Sequence, residues 1–333
     1  MLFRSIIEPN NPNALFLLDI QMLSKSIITE MRCGIFTEYG DMELHTQAIV
    51  GTFTECDDKR LLDDYVFLCF FLGNDFLPHN PSLNIRTHGI QVLLNTYRKY
   101  IGKYDKRLVD VQNGKIIWKS VYILIDNLAI MEHDLLLQEY KLRNKQEKRF
   151  FPETNVKEME HAFNSIPLIY RGEEKYIYPE EQYWEKRYYK TLFSKVITNR
   201  KELCDNYLEG LEWVFRYYTQ KCPDWRWKYK ENYPPLFTDL NKYVPRKDYN
   251  FIKPNTNKPL SSIEQLIYVL PRSQLKLLPK KTQQIIERDY MHYYPDKNEA
   301  RIIFAFCKYF WESHVELPKM TIVTLQDIRR LST

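Results

Sequence analysis

Three carboxylates lie within residues 61–81, LLDDYVFLCFFLGNDFLPHNP, where an apolar run separates the pair Asp63-Asp64 from Asp75. A carboxylate anchored by a hydrophobic element suits a metal or catalytic site, because such groups must be held firmly. The run Tyr65–Leu72 is apolar enough to be buried, as a helix or a core strand, and its length alone does not distinguish the two. Its ends do. An Asp at the start suits a helix N-cap, and Gly73 just past the last apolar residue suits a left-handed C-terminal cap. The expectation is therefore a buried helix, capped by Asp64, that presents Asp75 to solvent or to a ligand. Asp75 has a second reading, in which it only satisfies backbone groups of the turn, a common use of Asp. Spacing leaves both open.

The elements around this stretch come from a chain of 333 residues, enough for a large core and two subdomains. Tyr numbers 25 and Gly only 9, and no GxGxxG or GxxxxGK[ST] string is present, which excludes the Gly-rich nucleotide-cradling folds. The net charge of +5 is uneven: residues 1–60 hold 9 acidic and 5 basic side chains, so the remainder carries the positive excess. A basic body rich in Tyr and Trp has the means to bind a polyanion, by neutralising phosphates and stacking bases. The six cysteines are scattered without a CxxC, and the seven histidines form no HExxH, which argues against structural zinc and disulfides and for a reducing compartment. No signal peptide or membrane span is expected, since Arg4, Glu8 and two prolines break the N-terminal stretch.

In chain order, Leu15–Ile20 fits a short strand or a first helical turn, continued to Met31 by the helical spacing of Leu23, Ile27 and Ile28. Residues 34–60 are polar and acidic and suit a loop with a short helix. Residues 90–100 are an amphipathic helix, Asn113-Gly114 a turn, and Ile116–Trp118 a short strand. Ser120 is placed to cap a long helix whose charged tail, Glu139 to Arg149, projects into solvent. Residues 150–180 are poor in pattern and suit a connection. Leu203, Tyr207, Leu211, Val214 and Tyr218 recur every three or four residues and predict a helix ended by Cys222-Pro223. An irregular aromatic and basic stretch follows, then a capped short helix stopped at Pro271 and a last helix over TIVTLQDIRRL. The division expected is a helical region over 1–150, carrying GNDFLPH, and a second helical and aromatic region over 151–333.

The stretch DDYVFLCFFLGNDFLPHNPSLNIRTHGIQVLL resembles the signature segment of the XRN-type 5′→3′ exoribonucleases. Four further elements agree in the same order: YLEGLEWVFRYYTQKCPDWRWKYKENYPPLFTDL, PLSSIEQLIYVLPRSQLKLLP, DYMHYYP and YFWESHVELPKM. The resemblance runs from about Leu15 to Met320. It implies a mainly α, multi-helical domain with few short strands and long irregular aromatic connections. It also implies processive, metal-dependent hydrolysis of single-stranded RNA bearing a 5′-monophosphate, with Mg²⁺ or Mn²⁺ held by Asp and Glu side chains. By this resemblance Asp75 is the catalytic carboxylate and metal ligand. Asp64 is a weaker metal candidate, since a helix rising ~1.5 Å per residue sets it roughly 16 Å from Asp75. His79 is expected to be structural. Trp225 and Trp227, flanking Arg226, correspond to a region whose Trp stacks on nucleotides, and which of the two does so stays open, as does core packing for either. Lys228, Lys230 and Arg246 are candidate phosphate contacts.

The family's other catalytic carboxylates lie in an N-terminal part that precedes the matched region, and residues 1–60 hold nothing like that constellation. The expectation is the C-terminal portion of such a nuclease, inactive without an N-terminal half that a separate chain would supply, or else a non-catalytic RNA-binding module or degenerate remnant. The cytoplasm is the default location, with the nucleus open.

Overall fold

The computed structural model describes residues 18–33, 56–193, 199–253, 255–296 and 299–332. Among them are 13 α-helices and two hairpins of two-residue strands, so the mainly helical expectation holds. None of these helices is long and apolar enough to cross a membrane.

The first half builds the main core. Helix α1 (Ile20–Cys33) starts where the Asp19 carboxylate accepts hydrogen bonds from the Gln21 and Met22 amides, at 2.8 and 3.1 Å. Residues 15–17 and 34–55, which carry the rest of the calls made there, lie outside the described residues. Helix α2 (Cys56–Cys69) then runs into a 3₁₀ turn, Phe70–Leu72. Asp63 and Asp64 are therefore mid-helix residues, and the expected N-cap is overturned: α2 begins at Cys56, and Asp58 in its first turn pairs with Arg32 of α1. A carboxylate so placed favours the positive end of the helix dipole, which moves the start upstream of Asp63-Asp64. Helix α3 (Gly89–Tyr100) leads to the hairpin of β1 (Val109–Asp110) and β2 (Lys115–Ile116), paired antiparallel around a turn in which Gly114 has φ +62°.

Helix α4 (Trp118–Glu147) begins before Ser120, which is buried in its first turn and caps nothing. Its start is set instead by Trp118, whose buried indole N–H donates to the Tyr249 carbonyl at 2.9 Å. The tail of α4 is not free in solvent either. Glu139 is buried against the loop that carries Asn84 and Thr87, and Tyr140 and Arg143 are buried because the region taken for a connection, which forms α5 (Val156–Asn164), α6 (Ile166–Ile169) and α7 (Gly172–Ile177), packs its Pro167, Arg171 and Glu174 on them. Charged residues enter this interface in pairs: Arg143 binds Glu174, and Glu147 binds Arg171 and Lys175. Buried charge is tolerated only when matched in this way.

Helices α8 (Trp184–Leu192), α9 (Arg200–Thr219) and α10 (Phe237–Leu240) follow. The apolar face of α9, with Leu208, Leu211 and Val214, joins the core of α2–α4, so the main core draws on residues from both sides of position 150. A second cluster gathers Leu136, Trp184, Tyr188, Tyr233, Ile303 and Phe306. A third holds α11 (Ser262–Val269), α12 (Lys280–Ile285) and α13 (Ile322–Ser332) together through Ile267, Ile285 and Ile328. As the sequence predicts, α11 is capped: Ser261 and Glu264 bind each other's backbone amides. The strands β3 (Ile302–Ile303) and β4 (His314–Val315) form the second hairpin.

Candidate active-site cleft

The exit from α2 decides what Asp75 can do. Gly73 takes φ +90° and ψ 149°, a conformation open in practice to glycine alone, and this throws the chain away from the helix axis. Asn74 closes the turn that follows. Its side-chain oxygen accepts the Phe76 and Leu77 amides, both at 2.9 Å, and its backbone N–H donates to the Leu77 carbonyl at 3.0 Å. Phe76 packs on Trp213 and Tyr217 of α9, at centroid distances of 4.8 and 5.1 Å. Leu77 is buried close to Gly210, where a β-carbon would come within 2.6 Å of it. The turn is thus satisfied by Asn74 and pinned by its apolar neighbours. Asp75 stays exposed on top, and its carboxylate has no hydrogen bond or ion pair among the described residues.

Asp64 has a different role from either one expected. It is fully buried, and its carboxylate accepts the Tyr97 hydroxyl at 2.7 Å and the amides of Leu108 and Val109 at 2.8 and 3.0 Å. Burial pushes its pKa up to about 6, against the lowering effect of these three donors. It ties α2 to α3 and β1, and is no ligand of anything at Asp75.

Helix α4 organises the loop from Gly73 to His88. The buried Glu132 carboxylate accepts four donors: Asn80 Nδ2 at 3.1 Å, the Phe237 and Thr238 amides at 2.6 and 3.0 Å, and the Thr238 hydroxyl at 3.0 Å. It joins the end of the GNDFLPHN segment to the N-terminus of α10. Burial outweighs these bonds and raises its pKa to about 7. Two turns along, Glu139 binds Thr87 and accepts from Asn84 Nδ2 at 3.4 Å, with His88 Nδ1 3.5 Å away. Further on, Arg143 pairs with Glu174 at 2.6 Å and donates to the Cys307 carbonyl at 2.9 Å, while Glu174 also accepts the Phe306 amide at 2.7 Å. Residues two turns apart share a helix face, so one stripe of α4 holds three chain segments far apart in sequence.

Those segments enclose a cleft of about 500 Å³, lined by Asn74, Asp75, His79 and Arg86, by Asn232 and Tyr233, and by Ala305–Cys307, Glu312 and His314. Glu312 is engaged: it pairs with Arg86 and accepts the Lys308 amide at 2.8 Å. Burial lowers the pKa of His79 to about 4 and that of His314 as well, so both imidazoles are neutral at physiological pH. The Cys307 thiol is pushed up to about 12 by burial, so it is protonated and a poor metal ligand. Asn74 Nδ2 is buried without a protein partner, a donor left over for an oxygen in the cleft. No group of three His, Cys, Asp or Glu side chains placed to hold a metal occurs among the described residues. A divalent ion needs several oxygen ligands, and Asp75 by itself does not fit one.

The two tryptophans of the WRW loop separate clearly. Trp227 is packed between Trp213, at 5.2 Å and 20° between planes, and Gly210, and its indole nitrogen is buried. Trp225 is 55% exposed. Arg226 donates to the Lys258 carbonyl at 3.3 Å, and Lys228 lies 5.6 Å from the Tyr268 ring. Arg246 is stacked on Tyr122 at 4.5 Å, and Lys230 lies 3.4 Å from the Glu202 carboxylate.

The description "Xrn1 helical domain" matches residues 55–174 and 171–330. The chain belongs to that family. Among its relatives, the "5'-3' exoribonuclease 2" of Gallus gallus is 27% identical over 355 residues, covering 86% of this chain and 37% of the chicken protein. The "5'-3' exoribonuclease 2 homolog" of Drosophila melanogaster is 26% identical, covering 78% of this chain and 33% of the fly protein. The homolog of the same name from Caenorhabditis elegans is 26% identical, covering 90% and 40%. The chain therefore spans between a third and two fifths of the length of these relatives.

Within this helical-domain fold, three of the five sequence elements that carry the resemblance meet in one cleft. The positioning carboxylates Glu132 and Glu139 escape motif reading, although their spacing on an otherwise apolar helix face is a signal: a buried stripe does not carry acids without partners.

Proposed function

We propose that the chain is the helical portion of a 5′→3′ exoribonuclease that acts on single-stranded RNA with a 5′-monophosphate. The carrying observation is Asp75: Asn74 takes over the work of the turn, so the adjacent carboxylate is left exposed at the rim of the cleft, without a partner among the described residues. In this reading Asp75 is one ligand of a Mg²⁺ or Mn²⁺ site whose other ligands lie on an N-terminal nuclease portion, in the same polypeptide or in a separate one. Trp225, exposed beside Arg226, is the base-stacking residue, a contact that tolerates any sequence. Trp227 supports it from the core.

The test mixes the chain with the preceding nuclease portion of a relative such as the chicken protein, Mg²⁺ and 5′-monophosphorylated RNA. Degradation should appear, and Asp75→Asn should abolish it while leaving RNA binding in place. Undiminished degradation by that variant refutes the role of Asp75.

A second reading, an RNA-binding module without hydrolysis, is favoured by the lack of a three-ligand group among the described residues. Under it the chain binds single-stranded RNA with an affinity that falls with salt, and no added half restores degradation.

A further inference from the structure

Helix α5 turns its apolar face outward. Val156, Met159 and Phe163 recur at i, i+3 and i+7, the spacing of one helical face that ordinarily packs on a core. Here Ala162 is the one buried residue of the helix, and those three side chains are 80%, 52% and 52% exposed. The helix itself is well made: the Asn155 side chain accepts the Glu158 amide at 3.1 Å, and Glu158 accepts the Thr154 amide at 2.9 Å. Met159 and Phe163 form one wall of a groove of about 630 Å³, a size within the range of ligand-holding clefts. Phe150 and Phe151 at the exit of α4 form another wall, and Ile166 and Ile169 of α6 complete it. Phe150 is 87% exposed, a ring without a hydrogen-bonding group left in water. Apolar side chains gathered in this way mark a binding surface, unlike the scattered single ones of an ordinary exterior. The groove shares no lining residue with the Asp75 cleft.

Charge is uneven around it. Lys141, Lys145, Lys148 and Arg149 stand at i, i+4, i+7 and i+8 along one exposed side of α4 and its exit, and Arg149 lines the groove. None of the four has a side-chain hydrogen bond or ion pair among the described residues. Lys148 and Arg149 suit the negative end of the helix dipole, but that field fades within a turn and does not account for Lys141. Nearby acids are spent elsewhere: Glu147 pairs with Arg171 and Lys175, and Glu158 closes the start of α5. Glu153 remains in the lining, and Lys157 and Glu160 balance each other on α5. The α4 end is therefore strongly positive and the α5 side is close to neutral.

We propose that this groove docks an amphipathic helix of another protein, with large apolar residues along one face and carboxylates at the end that meets the α4 cations. This docking goes beyond the nuclease reading and does not depend on it. Apolar residues at i, i+3 or i+4, and i+7 enter between α5 and the exit of α4, where their burial supplies the affinity. The carboxylates meet Arg149 and the lysines, which fixes the direction of the helix and speeds encounter. A nucleic acid suits the groove less well, because phosphates call for cations along the whole track, whereas this lining is aliphatic and aromatic and includes Glu153. A lipid surface suits it less well too, because the apolar side chains line a concavity instead of standing out from one face.

The experiment selects phage-displayed random peptides of about 16 residues, long enough to be helical, on the full chain. Enriched peptides are then synthesised and titrated by fluorescence anisotropy against the parent, Met159→Glu, Phe150→Ser and the double variant Lys145→Ala/Arg149→Ala. They should carry the apolar spacing with Asp or Glu at one end. Met159→Glu and Phe150→Ser should each weaken them by about tenfold or more. The double variant should weaken them and flatten the fall of affinity with salt. All four altered side chains are exposed, and a melting temperature equal to the parent's checks each fold. If Met159→Glu melts early, Phe150→Ser carries the same comparison. The proposal is overturned if no enriched peptide loses affinity in these apolar variants, or if the enriched sequences are basic or lack the spacing. Single-stranded RNA, phosphatidylserine vesicles and the unlabelled chain are titrated alongside. Binding to RNA or vesicles, or dimerisation seen by light scattering, assigns the groove to that occupant if Met159→Glu and Phe150→Ser abolish it, and also overturns the proposal.

Discussion

Replacing Glu132 with glutamine changes how the stability of this protein depends on pH. The carboxylate is buried on α4 with four donors, and burial raises its pKa from an ordinary 4.5 to about 7. Between those values the folded state holds a proton that the unfolded state has released. The contribution is therefore fully present below about pH 4.5 and is lost as pH rises through 7. Over the window it amounts to roughly 3 kcal/mol, falling by about 1.4 kcal/mol per pH unit. The proton has a place to go, since the Thr238 hydroxyl now donating to Glu132 at 3.0 Å is able to reverse and accept. Glutamine keeps the shape but does not titrate, and the mismatch of its amide with the Thr238 amide adds a pH-independent cost. Urea unfolding at pH 5, 6, 7 and 8, followed by tryptophan fluorescence, gives the stability of both proteins. Other buried groups, such as His79 with its lowered pKa, tilt the individual curves, so the informative quantity is the difference between them. The advantage of the parent over Glu132→Gln should shrink by roughly 3 kcal/mol from about pH 4.5 to above 7. Parallel curves for the two proteins refute the assignment and mean that Glu132 stays ionised in the fold.

The two tryptophans of the WRW loop should separate by assay: Trp227→Ala lowers unfolding free energy by ~3–5 kcal/mol, whereas Trp225→Ala leaves the melting temperature in place and weakens RNA binding in a titration. Gly73→Ala should cost ~1–3 kcal/mol in urea unfolding, because φ is +90° and the new β-carbon meets His79 Cβ at 3.0 Å; a neutral result would mean that the turn relaxes freely. Asp64→Ala leaves the Tyr97 hydroxyl and two amides without their acceptor, at ~1–3 kcal/mol for each group left unsatisfied, and a variant that unfolds like the parent would show that water replaces the carboxylate.

Helices whose apolar residues keep a regular spacing were legible in the sequence. The pattern of Leu203, Tyr207, Leu211 and Val214 places α9, and the capped short helix expected before Pro271 is α11, with Ser261 and Glu264 as its cap. Starts governed by tertiary contacts were not. Ser120 has the right chemistry for a cap, but the indole of Trp118 reaches Tyr249 and begins the helix earlier. Likewise, the charged tail of α4 reads as solvent-facing only until its partners Glu174 and Arg171 are known, and these lie in a segment with little periodicity of its own. In the cleft, the motif drew notice to Asp75, whereas the division of labour between Asn74 and Asp75 depends on where each side chain points. Trp225 and Trp227 are alike in sequence, and the small contour of Gly210 is what admits Trp227 to the core.

The stripe on α4 has a bearing on how such a chain can drift. Glu132, Glu139 and Arg143 each serve two or more partners on different segments, so altering one of them strands several polar groups at once. Changes along this stripe are therefore strongly non-additive. An exchange that is harmless in a descendant passes through a harmful single step unless a partner such as Asn80 or Glu174 has already changed. The cleft walls are free to vary in their exposed residues, but the helix behind them is open only to compensated, simultaneous change.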